Sequence, residues 1–160
     1  MNFELSEEQQ MLKESATRLG ERFGVEYWRD LDERKKYPEE IWNAICEAGF
    51  CGVAISERYG GSGLGMLELA IVVEALCAAG GGSTLSQIFM LNPIFGGISL
   101  DGFARQEMRE QLLPELVSGK ATFAMGLTEP DAGTNTLAMR SYAKRDGEGW
   151  LLNGQKIWIT

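Results

Sequence analysis

Histidine is absent from this 160-residue chain, which removes the commonest general base at neutral pH and the commonest metal ligand. No metal site is expected. Cysteine is scarce: Cys46, Cys51 and Cys77 form no C-x-x-C pair. Three scattered thiols, with no N-terminal signal of basic then apolar residues, point to a reducing cytoplasm. Positive charge is also short, with 15 Lys and Arg against 23 Asp and Glu and a net charge of −8. No basic block occurs, which argues against nucleic acid as a partner. Nor is there an apolar run of the roughly 20 residues that a membrane helix requires; residues 69–79 come nearest, and Glu74 interrupts them. What is present is 44% hydrophobic residues, enough to bury a core in one domain, or in one domain plus the start of another.

Most of the chain reads as helices. Ser6-Glu7-Glu8-Gln9 has the capping-box pattern, with acidic residues in the first turn where the helix dipole favours them. Leu12, Ala16, Leu19 and Phe23 then recur at helical spacing, which predicts a helix over residues 6–23 closed by Gly24. A short charged helical piece follows around residues 27–33. Pro38 suits a first helical position, and Ile41, Ile45 and Ala48 give the next helix an apolar face before Gly49. An apolar connector at residues 50–55 leads into a cluster, Gly60-Gly61-Ser62-Gly63-Leu64-Gly65. A phosphate-loop reading fails there, because Met66 stands where the third glycine of G-x-G-x-x-G belongs and no Walker lysine follows. A loop into a helix is the better reading. Residues 66–79 are apolar nearly all round, the pattern of a central helix surrounded by others, and Gly80-Gly81-Gly82 ends it. Ser83 or Thr84 is expected to cap the next helix, which carries Leu85, Ile88 and Phe89 and which Pro93 should kink or break. The last helix, residues 104–118, places Met108, Leu112 and Leu116 on one stripe, interrupted by Pro114 and ended by Gly119.

From about residue 121 the pattern changes. Residues 123–127 are an apolar run predicted to be a buried strand feeding a tight loop. Pro130 excludes Glu129 from helical geometry and fixes the backbone after Thr128, while Gly133 permits a positive φ or the close approach of a ligand. For this loop taken alone, a plain β-turn is the alternative. Beyond it, Asp146-Gly147-Glu148-Gly149 reads as a hairpin turn and Asn153-Gly154 as a type I′ turn. Two hairpins in series, a β-meander, are expected. In its last strand Trp158 and Thr160 would share a face, and an indole beside a hydroxyl can stack on a flat ring and donate to its polar edge.

The run Met125-Gly126-Leu127-Thr128-Glu129-Pro130-Asp131-Ala132-Gly133-Thr134, followed by Asn153-Gly154-Gln155-Lys156-Ile157-Trp158-Ile159-Thr160, resembles the flavin-binding signature of the acyl-CoA dehydrogenases. The paired motifs at this spacing are far more specific than either alone, and the resemblance covers the whole chain. It implies a mainly α fold with some β: an N-terminal all-α domain, residues 1–120, then the start of a middle β-domain, residues 121–160. The C-terminal four-helix bundle of the family is expected to lie outside this sequence. The resemblance also implies FAD as cofactor, bound by Met125, Leu127 and Thr128, by Gly133 and Thr134, and by Trp158, Ile159 and Thr160. In the family the residue matching Thr128 and its flanking backbone contact the isoalloxazine, and those matching Trp158 and Thr160 lie beside the ring near N5. Thr134, usually a serine, falls near the flavin phosphates and the CoA part of the substrate. Leu85 and Phe89 fall near positions that floor the acyl-chain pocket, with ordinary core residues as the alternative.

The implied reaction belongs to fatty acid metabolism, the α,β-dehydrogenation of an acyl-CoA thioester to a 2,3-enoyl-CoA. A carboxylate takes the α-proton, the β-hydrogen leaves as hydride to FAD, and electrons pass to an electron-transfer flavoprotein. The family's base is a glutamate of the C-terminal bundle, so no catalytic residue is assigned here, and the 160-residue chain alone is expected to be inactive. At full length a homodimer or homotetramer in the cytoplasm is expected. An acyl-CoA oxidase or another flavoenzyme of the same fold shares these motifs. A non-catalytic helical module that binds an acyl carrier or a partner is the reading from a different class.

Overall fold

The computed structural model describes residues 4–159, and the chain divides into two compact units, Met1–Phe123 and Ala124–Thr160. The first is helical. α1 (Glu7–Glu21) opens on the capping box that the sequence predicts: Ser6 Oγ accepts from the Gln9 N–H at 3.2 Å, and Gln9 Oε1 accepts from the Ser6 N–H at 3.0 Å. Two N–H groups that lack partners inside the helix are thereby satisfied. α2 (Val25–Arg34) is longer than the charged piece expected, and Trp28 Nε1 fastens it to the end of α1 by donating to the Phe23 carbonyl at 3.1 Å. α3 (Glu39–Glu47) follows Pro38 and stops before Gly49, whose φ is 78°. In the glycine cluster a side chain at Gly61 would collide with the Ile55 carbonyl, and the Gly63 N–H donates to that same carbonyl at 2.8 Å. Close backbone approach accounts for the cluster as a structural turn.

α4 (Met66–Leu76) runs alongside α1 and buries Leu69, Val72 and Leu76. It is not enclosed on all sides as its composition suggests, because Met66, Leu67 and Ala70 are exposed. After a wide turn at Cys77–Gly81, α5 (Gly82–Phe89) starts without a side-chain cap, so neither Ser83 nor Thr84 plays the expected part. The residue that departs from helical geometry at the start of α5 is Gly82 (φ 50°, ψ −145°), which has no side chain with which to accept from the N–H groups of the first turn. Pro93 does not break the helix either: Met90–Ile98 widens into a π-helix around it and continues into α6 (Ser99–Phe103). The wider turn relieves the clash between the proline ring and the preceding carbonyls, and Asn92 Nδ2 donates to the Ile88 carbonyl at 3.2 Å. α7 (Gln106–Val117) contains Pro114 without interruption. Its buried stripe is Leu113, Leu116 and Val117 rather than Met108, Leu112 and Leu116, because Leu113 and Val117 pack with Ile55 and Tyr59.

Ala16, Leu19, Ile41, Ile45, Leu69, Val72, Leu76, Leu85 and Phe89 belong to the main core of this unit. Buried in the same core, the free thiols of Cys46 and Cys51 lie 3.3 Å apart and share a hydrogen bond. The helical run Met66–Phe103 is long and apolar enough to cross a membrane by length and composition. Its Leu69, Val72, Leu76, Leu85 and Phe89 are core residues.

In the second unit β1 (Tyr142–Asp146) pairs antiparallel with β2 (Gly149–Asn153), Tyr142 opposite Asn153 and Asp146 opposite Gly149. Gly147 has φ 59° at the first turn position, the type II′ arrangement that suits a two-residue hairpin. The rest departs from the expected meander. Residues 123–127 form no strand, and Leu127 is exposed. Asn153 lacks the positive φ that a type I′ turn requires, and residues 155–159 form no third strand. Trp158 has φ 55°, which breaks the alternation on which a face shared with Thr160 depended; Thr160 itself lies outside the described residues. Extended backbone becomes a strand only when a partner's N–H and C=O groups run alongside, and among the described residues the one backbone bond between residues 123–128 and 155–159 runs from the Ile157 N–H to the Thr128 carbonyl at 2.9 Å.

Candidate functional site

That bond brings the two sequence motifs together inside the second unit. It lays residues 156–159 beside residues 125–128, so that a Cβ at Gly126 would lie 3.5 Å from Lys156 Cγ and 3.6 Å from Ile159 Cδ1. The loop that follows is a tight turn. The Glu129 N–H donates to the Ala132 carbonyl at 2.9 Å and the Ala132 N–H to the Glu129 carbonyl at 3.2 Å, with Pro130 and Asp131 at the tip. Thr128 and Gly133 flank this bridge at the base of the turn.

Several polar groups at that base are uncommitted. Among the described residues, the hydroxyls of Thr128 and Thr134 and the N–H groups of Leu127, Thr128, Gly133 and Thr134 have no hydrogen-bond partner. Gly133 does not have a positive φ; what distinguishes it is open space, with nothing within 4 Å of where a Cβ would stand. Trp158 is 86% exposed, Ile159 and Leu127 are exposed, and Met125 is half-buried. Free donors on one segment and an exposed indole on the segment bonded to it fit a flat ring with a polar edge. Leu85 and Phe89 lie in the helical unit, both fully buried. An apolar cleft of about 430 Å³ in that unit is lined by Met66, Leu69, Ala70, Val73, Glu74, Cys77 and Ile94.

Two further residues stand at the centre of the site and were missed by sequence reasoning. Glu129, 6% exposed, accepts from the Arg140 N–H at 2.7 Å, the Ser141 N–H at 2.9 Å and Lys156 Nζ at 2.9 Å. Lys156 Nζ also donates to the Leu127 carbonyl at 2.9 Å. The Arg140 N–H above all, with Ser141 and Lys156, holds the Glu129 carboxyl down at about 2. A carboxylate stabilised in this way is a poor proton acceptor, which unfits Glu129 as a general base. Charge was the available signal: Glu129, Asp131 and Lys156 are the only charged residues in the two motifs. Among the described residues no group of three or more His, Cys, Asp or Glu could hold a metal ion.

Comparison with known proteins identifies the family. The family model for the acyl-CoA dehydrogenase N-terminal domain matches residues 6–120, and that for the middle domain matches residues 124–160. The chain is 35% identical over 155 residues to the acyl-CoA dehydrogenase FadE12 of Mycobacterium tuberculosis (strain ATCC 25618 / H37Rv), covering 97% of this chain and 39% of that protein. It superposes on a glutaryl-coenzyme A dehydrogenase in complex with glutaryl-CoA with a TM-score of 0.92 and 33% identity, over 99% of this chain and 40% of that one. On the FAD complex of PigA the TM-score is 0.90 at 33% identity, over 99% of this chain and 42% of that one. The chain thus spans 39% of the length of the curated relative. With both domain models matched in order along it, the chain belongs to the acyl-CoA dehydrogenase family.

Proposed function

We propose that the protein containing this chain is an FAD-dependent dehydrogenase that oxidises an acyl-CoA thioester between its α and β carbons, giving a 2,3-enoyl-CoA. The observation that carries this reading is the meeting of the two motifs, with Thr128 bonded to Ile157, uncommitted donors at the base of the turn and an exposed Trp158. FAD, when bound, supplies an acceptor for the hydride that leaves the β carbon. On this reading Trp158, Ile159, Met125 and Leu127 would hold the ring. The Thr128 hydroxyl and the free N–H groups would donate to it, since fixed donors stabilise charge as it develops. Thr160 is assigned beside them by family resemblance alone. Thr134 serves the cofactor phosphates and the CoA end of the substrate. Leu85 and Phe89, being fully buried, would shape the acyl-chain side from within the helical core.

Glu129 is excluded as the base that takes the α-proton, and the 160 residues by themselves are expected to show no dehydrogenase activity. The naming of relatives as acyl-CoA dehydrogenases and the glutaryl-CoA complex of a structural neighbour support the substrate class. An electron-transfer flavoprotein as electron acceptor, a homodimer or homotetramer, and a cytoplasmic location complete the proposal. The test uses the whole protein. Stoichiometric flavin absorbance that bleaches when an acyl-CoA is added without oxygen is the expected result. A protein that purifies without flavin and takes none up would overturn the reading, and rapid turnover with oxygen as sole acceptor would make it an oxidase.

A further inference from the structure

Residues 124–159 have almost no apolar core, since only Glu129 and Ala132 are buried there. Their order rests on polar contacts, and outside the β1–β2 ladder several of these converge on one carboxylate. Glu129 Oε2 accepts from the Arg140 N–H, and Oε1 from the Ser141 N–H and Lys156 Nζ, at 2.7, 2.9 and 2.9 Å. The same ammonium donates to the Leu127 carbonyl at 2.9 Å. One ion pair therefore ties together the tight turn, the approach to β1 and the segment that carries Trp158. It also differs from the other ion pairs of the described residues. In those, each side chain is at least 50% exposed, whereas Lys156 is 29% and Glu129 6% exposed. Exposed pairs contribute little. A pair taken out of water acts against any arrangement that leaves one charge without the other.

We infer that the Glu129–Lys156 pair is a positioning device for the cofactor edge: it sets the register between Thr128 and the Trp158 segment, and through it how firmly FAD is held. This rests on the functional reading above. Each of these contacts to the carboxylate comes from a donor, so position 129 requires a group that only accepts. Gln at 129 would turn its NH₂ toward one of the three donors. Lys156 meets the complementary requirement, one cation shared between two acceptors.

The experiment compares the whole protein with Glu129→Gln, Lys156→Met and the double variant. FAD affinity is read by titrating apo-protein and following flavin fluorescence, and helical unfolding by far-UV circular dichroism. Each single variant is expected to weaken FAD binding by about tenfold or more, as for loss of a hydrogen bond to a charged group. The double variant should lose no more than either single, because both break the same pair. Helical unfolding should not change. At saturating FAD the flavin absorption spectrum should shift and kcat fall while KM for acyl-CoA holds, and Lys156→Arg, which keeps a cation with several donors, should restore most of the affinity. Variants with parental FAD affinity and spectrum, or a double variant whose loss is the sum of the singles, would overturn the inference. If Glu129→Gln does not fold, Lys156→Met against Lys156→Arg reads the same pair. A parent protein that takes up no FAD overturns the functional reading and this inference with it, whereas a parent and variants that take it up equally overturn this inference alone.

Discussion

Residues 4–123 bury Ile41, Ile45, Leu85 and Phe89 completely, whereas among residues 124–159 the one hydrophobic residue that is buried is Ala132. In the same second unit Trp150, Leu152 and Trp158 are 63%, 81% and 86% exposed. The helical unit is held by apolar packing, which is non-directional and spread over many contacts. The second unit is held by directional bonds, those of the β1–β2 ladder and those gathered on Glu129. A core of the first kind is lost by cutting a cavity into it. An arrangement of the second kind changes when one donor or acceptor is replaced.

That contrast can be broken most forcefully in the helical unit. Phe89→Ala should destabilise it by about 3–5 kcal/mol, the range for truncating a large buried aromatic, measured by chemical denaturation followed by circular dichroism. A loss below 1 kcal/mol would mean that the core is not continuous around this ring. Asn92 tests whether the helical unit also depends on directional bonds: its Oδ1 accepts from the Phe123 N–H at 2.7 Å and its Nδ2 holds the Ile88 carbonyl beside Pro93. Asn92→Ala leaves a half-buried N–H unpaired and should cost about 1–3 kcal/mol in the same measurement.

Acid should separate the two units. Glu129 falls from its ordinary 4.5 to about 2 in the folded chain, so its contribution is complete above pH 4.5 and is lost as pH falls from there toward 2. Amide exchange at Ile157 should accelerate over that window before the exchange of α4 does. Simultaneous acceleration of both would show that the clamp does not act locally. The smallest effect on stability is expected at Trp158. Because its ring is exposed, Trp158→Ala should leave unfolding unchanged, while FAD retention in the whole protein drops by up to about tenfold, the upper end of an aromatic stacking contribution. Equal FAD affinity with a lower melting temperature would reverse that assignment.

Much of the helical unit was legible from neighbouring residues. The capping box at Ser6, the stop at Gly49 and the two-residue turn at Gly147 each depend on groups within four residues of one another, and all three appear in the structure. That Pro93 leaves the helix unbroken was not legible, because its tolerance depends on the helix widening into a π-turn. α7 turned a different stripe inward because its neighbours, Ile55 and Tyr59, lie far off in sequence. In the site, Thr128 and Trp158 stood out as motif residues. Glu129 and Lys156 did not, although each lies within the same motifs.

What the sequence determined by itself is therefore local or compositional: which stretches are helical, where most of them begin and end, which turn closes the hairpin, and, through two short motifs, membership of the acyl-CoA dehydrogenase family. Only the tertiary structure decided that residues 155–159 form no third strand, that Trp158 takes a left-handed backbone, and that a glutamate and a lysine 27 residues apart meet at 2.9 Å. The physical reason is the same in each case. A cap or a turn is satisfied by groups the chain has already placed nearby, whereas a strand or a buried charge is satisfied only by a distant partner that folding must bring to it.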